Sequence, residues 1–221
     1  MGMILSLAAC GAAASDVSQP GQSDTAEQPA AEASAAAGTE SSVQEESSSS
    51  ILVVFFSRTG EQYNVGVIEK GNTAIVAEII AEKTGADVFE ILPAEDYYPT
   101  TYKELTDVAM QEQREHARPA VAGELPDLTK YDTVFIGAPV WWGDWPMLLY
   151  TFFEGTECSG VKLVPFSTHE GSGLSGFDKK LASAYPGCEV LKGLAIRGAD
   201  TQNDVEGVQK KVDNWLTELG Y

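Results

Sequence analysis

The stretch Ile51 to Thr73, ILVVFFSRTGEQYNVGVIEKGNT, constrains this chain more than any other. Its opening run, Ile51 to Phe56, is entirely apolar, which predicts a strand buried on both faces, as inside a parallel sheet. Ser57-Arg58-Thr59-Gly60 ends the run, and after Asn72-Thr73 the residues Ile75, Val76, Ile79 and Ile80 recur at helical spacing. A strand, a glycine- and hydroxyl-rich turn and a helix start together make an anion site. Unpaired backbone N–H groups and the positive end of the helix dipole face one point. Hydroxyls on Ser57, Thr59 and Thr73 are further donors for phosphate oxygens. An ordinary capped turn between a strand and a helix has the same local pattern, so the decision falls to the other loops.

Four more apolar runs read as strands. Asp87 to Leu92 is closed by Pro93, and Asp132 to Pro139, Val161 to Phe166 and Val190 to Ile196 follow. Tyr97, Tyr98, Pro99 and Tyr102 form an aromatic turn into a polar helix from Lys103 to about Ala117, with Leu105, Val108 and Ala109 on a weakly apolar face. His116, at its end, reads as a solvated residue. Val205, Val208, Val212, Trp215, Leu216 and Leu219 mark a final amphipathic helix. Strands alternating with helices predict an α/β fold, a doubly wound, three-layer α/β/α arrangement on a five-stranded parallel sheet. Ligands of such sheets bind at the carboxyl ends of the strands, near the switch point.

Two of those strand ends carry unusual loops. Val140-Trp141-Trp142-Gly143-Asp144-Trp145-Pro146 follows the third strand. Its tryptophans are costly if exposed and too bulky for all to be core, whereas stacking on a flat aromatic ligand uses them well. Trp141 and Trp142 are the candidates, since Trp145 begins the next helix; covering the sheet edge is the plainer role. Ser167-Thr168-His169-Glu170-Gly171-Ser172-Gly173 follows the fourth strand, where glycines let backbone N–H groups approach a ring. His169 either donates to that ligand or carries a proton, or it is a loop histidine facing water. All three loops follow strands one, three and four, and so share one end of the sheet.

SRTG and GNT, with the P-x-W-W-G segment, resemble the flavodoxin-like family across residues 51–221. In that family the first motif is contiguous; here Glu61 to Gly71 separates its halves, so either Gly60 or Gly71 fills the glycine position. The fifth strand shows no long interruption, which is similar to the short-chain type. The resemblance implies strand order 2-1-3-4-5 and non-covalent FMN. It carries phosphate contacts onto Ser57, Thr59, Gly60, Asn72 and Thr73. Flavin contacts fall on Trp141, Trp142, Gly143, Thr168, His169, Gly171 and Gly173, with Arg58 and Pro139 in the same cofactor-binding set. The implied function is electron transfer to an unknown redox partner. The alternatives are an FMN-dependent NAD(P)H/quinone-type oxidoreductase and, further off, a non-redox binding lipoprotein. A long loop at a ligand's edge is often a lid, which is the role expected for Glu61 to Gly71. No G-x-S-x-G elbow is present, which speaks against a hydrolase.

Composition divides the chain. Residues 1–50 hold no Lys, Arg or aromatic residue. Of the 33 acids, Asp16, Asp24, Glu27, Glu32, Glu40, Glu45 and Glu46 lie there, leaving 26 acids against 14 Lys and Arg from residue 51 on. A surface so acidic repels nucleic acid and anionic lipid headgroups. Met1 to Ala9 ends in Leu7-Ala8-Ala9-Cys10, similar to a bacterial lipobox, so residues 1–10 are expected to be a signal remnant with lipidation at Cys10. Residues 11–50 are expected to be a disordered Ala/Ser/Glu-rich tether reaching about 35 Å. That layout implies an extracytoplasmic, lipid-anchored protein, with a cytoplasmic one as the alternative. Cys10, Cys158 and Cys188 show no CxxC spacing, and with only His116 and His169 beside them a zinc or iron–sulfur site is not expected. Cys158 and Cys188 could pair in an oxidising compartment; two unpaired, packed residues is the reading taken.

Overall fold

A computed structural model describes residues 50–221. The expected lipobox with Cys10 and the tether up to Ser49 lie outside the described residues. In chain order the elements are β1 (Ile51–Phe55), β2 (Gly60–Gln62), β3 (Gly66–Ile68), α1 (Asn72–Thr84), β4 (Asp87–Glu90) and α2 (Tyr102–Glu115). Then follow β5 (Thr133–Pro139), α3 (Met147–Gly155), β6 (Lys162–His169), α4 (Phe177–Ala184), β7 (Glu189–Val190), β8 (Leu194–Arg197), α5 (Gly198–Asn203) and α6 (Val205–Leu219).

The main sheet runs β4-β1-β5-β6-β7, with β8 also on β6, and every pairing is parallel. This is the expected doubly wound order, with β7 and β8 sharing the fifth place. Strand geometry turns alternate side chains to opposite faces, and β1 follows that rule. Leu52, Val54 and Phe56 enter one core with α2, α3 and α4, whereas Ile51, Val53 and Phe55 enter the other with α1 and α6. A strand buried on both faces must be apolar at every position, which is why the run stood out.

Three expectations are corrected. The fifth strand is broken at Leu191–Gly193, beside Pro165 of β6, which has no N–H to offer a neighbour. Gly193 fits against it closely, since a Cβ there would lie 2.8 Å from the Pro165 carbonyl oxygen. The second strand stops at Glu90, short of Leu92. Cys158 and Cys188 are disulfide-bonded, with Cα atoms 6.4 Å apart. They lie far apart in sequence, but β6 and β7 pair in parallel, and the Gly160 N–H donates to the Gly187 carbonyl at 3.0 Å. Both cysteines therefore sit at the amino ends of these strands.

Candidate functional site

The carboxyl ends of β1, β5 and β6 surround a cavity of about 230 Å³. Its first wall is the start of α1. The Ser57 hydroxyl accepts the Ala74 N–H at 3.0 Å, tying the end of β1 to the helix. A Cβ on Gly71 would stand 2.1 Å from Ser57 Oγ and 2.6 Å from the Arg58 carbonyl oxygen, so only glycine lets these segments touch. Asn72 Oδ1 accepts from Thr201 Oγ1 at 2.9 Å and Gln202 Nε2 at 2.8 Å, which fixes its amide against α5. Thr73 and Thr168 share a buried hydroxyl–hydroxyl bond of 2.7 Å that links α1 to β6.

The insertion explains why the separated motif halves still meet. β2 and β3 pair antiparallel, Gly60 opposite Ile68 and Gln62 opposite Gly66, so the excursion returns beside its starting point. Gly71, not Gly60, stands at the helix start. Gly60 has a φ of +87° and packs on Thr100, whose carbonyl would lie 2.7 Å from a Cβ there. The hairpin is docked rather than free: Glu61 N–H donates to Thr100 O, and the Glu61 carboxylate accepts the Tyr102 N–H, both at 2.8 Å. Tyr63 stacks on Tyr102 with centroids 5.5 Å apart.

The tryptophan loop makes a different wall. Trp141 and Asp144 close a tight turn with reciprocal backbone bonds of 2.9 and 3.0 Å. Trp142 at φ +51° and Gly143 at φ +74° are its central residues. A bulky residue in the left-handed region is strained. Trp142 is held there by its indole N–H to Thr106 O at 2.9 Å, yet its side of the molecule stays open, with the residue 53% exposed. Trp141 sits edge-on to Phe56 and Tyr98. Trp145 is buried and stacked on Phe177 at 3.5 Å, hence core. Lys180 anchors the loop to α4 by reaching Gly143 O at 3.0 Å and the Asp144 carboxylate at 2.8 Å.

Of the sequence-predicted residues, Ser57, Arg58, Asn72, Thr73, Pro139, Trp141, Trp142, Thr168 and His169 line the cavity. Thr59, Gly60, Gly143, Gly171 and Gly173 do not line it, but belong to the turns that shape its walls. Arg58 is largely committed elsewhere, its guanidinium bonding Asp96 and the Tyr98 carbonyl at 2.8 Å each. Its Nε is buried without a partner. Sequence reading missed Gln62, Tyr63, Tyr102, Thr106, Glu170 and Gly198 in the lining. The Asn64-Val65-Gly66 turn signal could have exposed the hairpin; nothing local could have brought α2 to the cavity.

Titration reflects burial. The His169 imidazole is held below its usual range chiefly by desolvation, with Glu170 pulling it up and Arg197 down. Behind Trp141, the Glu112 carboxyl is pushed up by burial, although the Tyr97 and Tyr98 hydroxyls that donate to it act the other way. The Tyr97 phenol is raised to about 12 by desolvation and by that carboxylate.

A family model described as Flavodoxin matches residues 51–215. Among solved structures, a protein from Bacteroides uniformis named as a flavoprotein is 30% identical at a TM-score of 0.55, covering 75% of this chain and 98% of its own. A similarly named protein from Bacteroides eggerthii is 29% identical at 0.54, with 75% and 96% covered. A Lactobacillus acidophilus flavoprotein in complex with FMN shares the fold at 20% identity and a TM-score of 0.52, covering 71% of this chain and 97% of its own. No curated protein matches the chain.

Proposed function

The chain belongs to the flavodoxin family, and on that premise we propose that it binds FMN non-covalently at the cavity and serves electron transfer. One observation carries the reading: the loops after β1, β5 and β6 converge on a single cavity lined by hydroxyl and amide groups and by aromatic rings. The residues present fit the group. Ser57, Asn72 and Thr73 offer donors around the start of α1, where Gly71 leaves no room for a Cβ. Such a helix start suits a phosphate. Trp141 and Trp142 offer aromatic surface at the other end, where an isoalloxazine ring would lie.

The flavin supplies the redox chemistry, and the protein binds it, orients it and sets its potential. The excess of acids from residue 51 on resists further negative charge on the ring, which favours a low potential. An absorbance spectrum of the purified chain, followed by titration of the stripped chain with FMN, tests the reading. Saturable uptake with flavin bands is expected; a chain that stays colourless with excess FMN refutes it.

A second reading, an FMN-dependent oxidoreductase of NAD(P)H and quinone-type acceptors, draws on the wall made by Gln62, Tyr63, Tyr102 and Thr106. Tyr63 and Tyr102, stacked with centroids 5.5 Å apart, give that wall aromatic surface suited to a small planar acceptor. Steady-state consumption of NAD(P)H with a quinone separates the two. The proposal also places the domain outside the cytoplasm on a lipidated Cys10, a reading that the Cys158–Cys188 bond supports because such bonds persist in oxidising compartments. Incorporation of labelled palmitate, lost in Cys10→Ala, is the expected result.

A further inference from the structure

We propose that His169 is a fixed, neutral hydrogen-bond donor to the bound cofactor, presenting Nε2–H to the cavity while Gly171 holds its Nδ1. This rests on the FMN reading above. The Gly171 N–H donates to His169 Nδ1 at 2.9 Å. A backbone N–H can only donate, so Nδ1 must carry a lone pair, and the ring proton of the neutral imidazole then resides on Nε2. The turn that makes this bond needs Gly171 at φ +139°, a conformation side-chain-bearing residues rarely adopt. The glycine therefore selects the tautomer.

The ring's position is fixed from the other side as well. His169 ends β6 and is registered opposite Arg197 of β8, and Thr168 before it pairs with Ile196. Its neighbours Thr168 and Glu170 line the same cavity. The charged groups facing the imidazole are Glu170 from its own loop, Arg197 from β8 and Asp200 from α5. Glu170 accepts the Ala199 N–H at 2.6 Å and the Arg197 guanidinium at 3.2 Å, and among the described residues no bond joins it to the His169 ring. Protonation would place an Nδ1–H against the Gly171 N–H and break the turn, which together with burial keeps the ring neutral. The remaining Nε2–H suits a carbonyl or ring-nitrogen acceptor on the polar edge of the cofactor.

Two measurements test this. Long-range ¹H–¹⁵N correlation on the FMN-free full chain should show His169 as the Nε2–H tautomer at about pH 8, with a midpoint below the ordinary histidine value of about 6.5. An Nδ1–H tautomer, or a midpoint at or above about 6.5, overturns the assignment without reference to any cofactor. In FMN titrations, His169→Phe should bind about fivefold more weakly, the worth of one net hydrogen bond. His169→Gln, which keeps an N–H donor, should recover most of that loss. A wild-type chain that takes up no FMN sinks the cofactor reading itself. A wild-type chain that binds FMN, beside a folded His169→Phe variant of equal affinity, refutes the His169 role alone.

Discussion

At the amino ends of β6 and β7 a covalent bond, Cys158 to Cys188, joins the incoming segments next to a glycine–glycine backbone contact. At the carboxyl ends of β1, β5 and β6 no such bond is present among the described residues. There the loops are held by single hydrogen bonds, a glycine contact and a tryptophan in the left-handed region. On the proposed FMN reading, the contrast sets stability at one end of the sheet and recognition at the other. Covalent closure constrains the unfolded chain without shaping a ligand's surroundings, whereas the site end accepts strain so that polar and aromatic groups can face one cavity.

Opening the covalent end should give the largest change in stability and the smallest in binding. The double variant Cys158→Ser, Cys188→Ser frees a loop with a sequence separation of 30. Loop-closure entropy predicts a loss of roughly 3–4 kcal/mol. Urea unfolding should register that loss while the FMN dissociation constant changes less than about twofold; a large loss of affinity would mean that the two ends are coupled. Gly71→Ala should come next and invert the pattern. Its Cβ would meet Ser57 Oγ at 2.1 Å, and the Arg58 backbone leaves little room to yield. Overpacking of this kind costs about 2 kcal/mol, and because it pushes Ser57 from the start of α1, FMN affinity should fall at least about tenfold. Unchanged FMN binding in a folded variant would remove Gly71 from the phosphate end.

The same contrast governs how much could be read from sequence. β1 was legible because burial on both faces leaves an unbroken apolar run, and the site loops were legible because each follows such a run. The polar donors Ser57, Asn72 and Thr73 sit where a strand hands over to a helix, which is local information. Tyr102 and Thr106 reach the cavity because Leu105 packs α2 into the core and the hairpin docks on Thr100 and Tyr102, and no periodicity encodes those contacts. The disulfide was misread for the same reason: parallel pairing of β6 and β7, not spacing, brings Cys158 and Cys188 together. Glu170 lay in a loop already singled out, but its engagement with Ala199 depends on where α5 begins.

Acid should loosen the site end before the covalent end. The His169 pKa is depressed in the folded protein, chiefly by burial. Between that value and the ordinary histidine value of about 6.5 the unfolded chain binds more protons, so stability rises with pH there. The contribution is complete above about pH 6.5 and lost as pH falls through the folded value. His169→Asn should flatten this part of the stability profile. A slope that survives His169→Asn would place the titration on another group.

The smallest stability change, and the sharpest test of strain, belongs to Trp142. Its φ of +51° suits glycine, so Trp142→Gly should relieve about 1 kcal/mol of backbone cost. The same change removes the indole bond to the Thr106 carbonyl, worth about 1 kcal/mol. With the side chain more than half exposed, little buried area is lost, and the terms nearly cancel. Thermal unfolding of the FMN-free chain should therefore shift by less than about 2 °C. FMN affinity should nonetheless drop several-fold, since aromatic surface at the ring end goes with the indole. A variant that loses stability but keeps its affinity would show the tryptophan serving the fold and not the ligand, and the division between the two ends of the sheet would no longer hold.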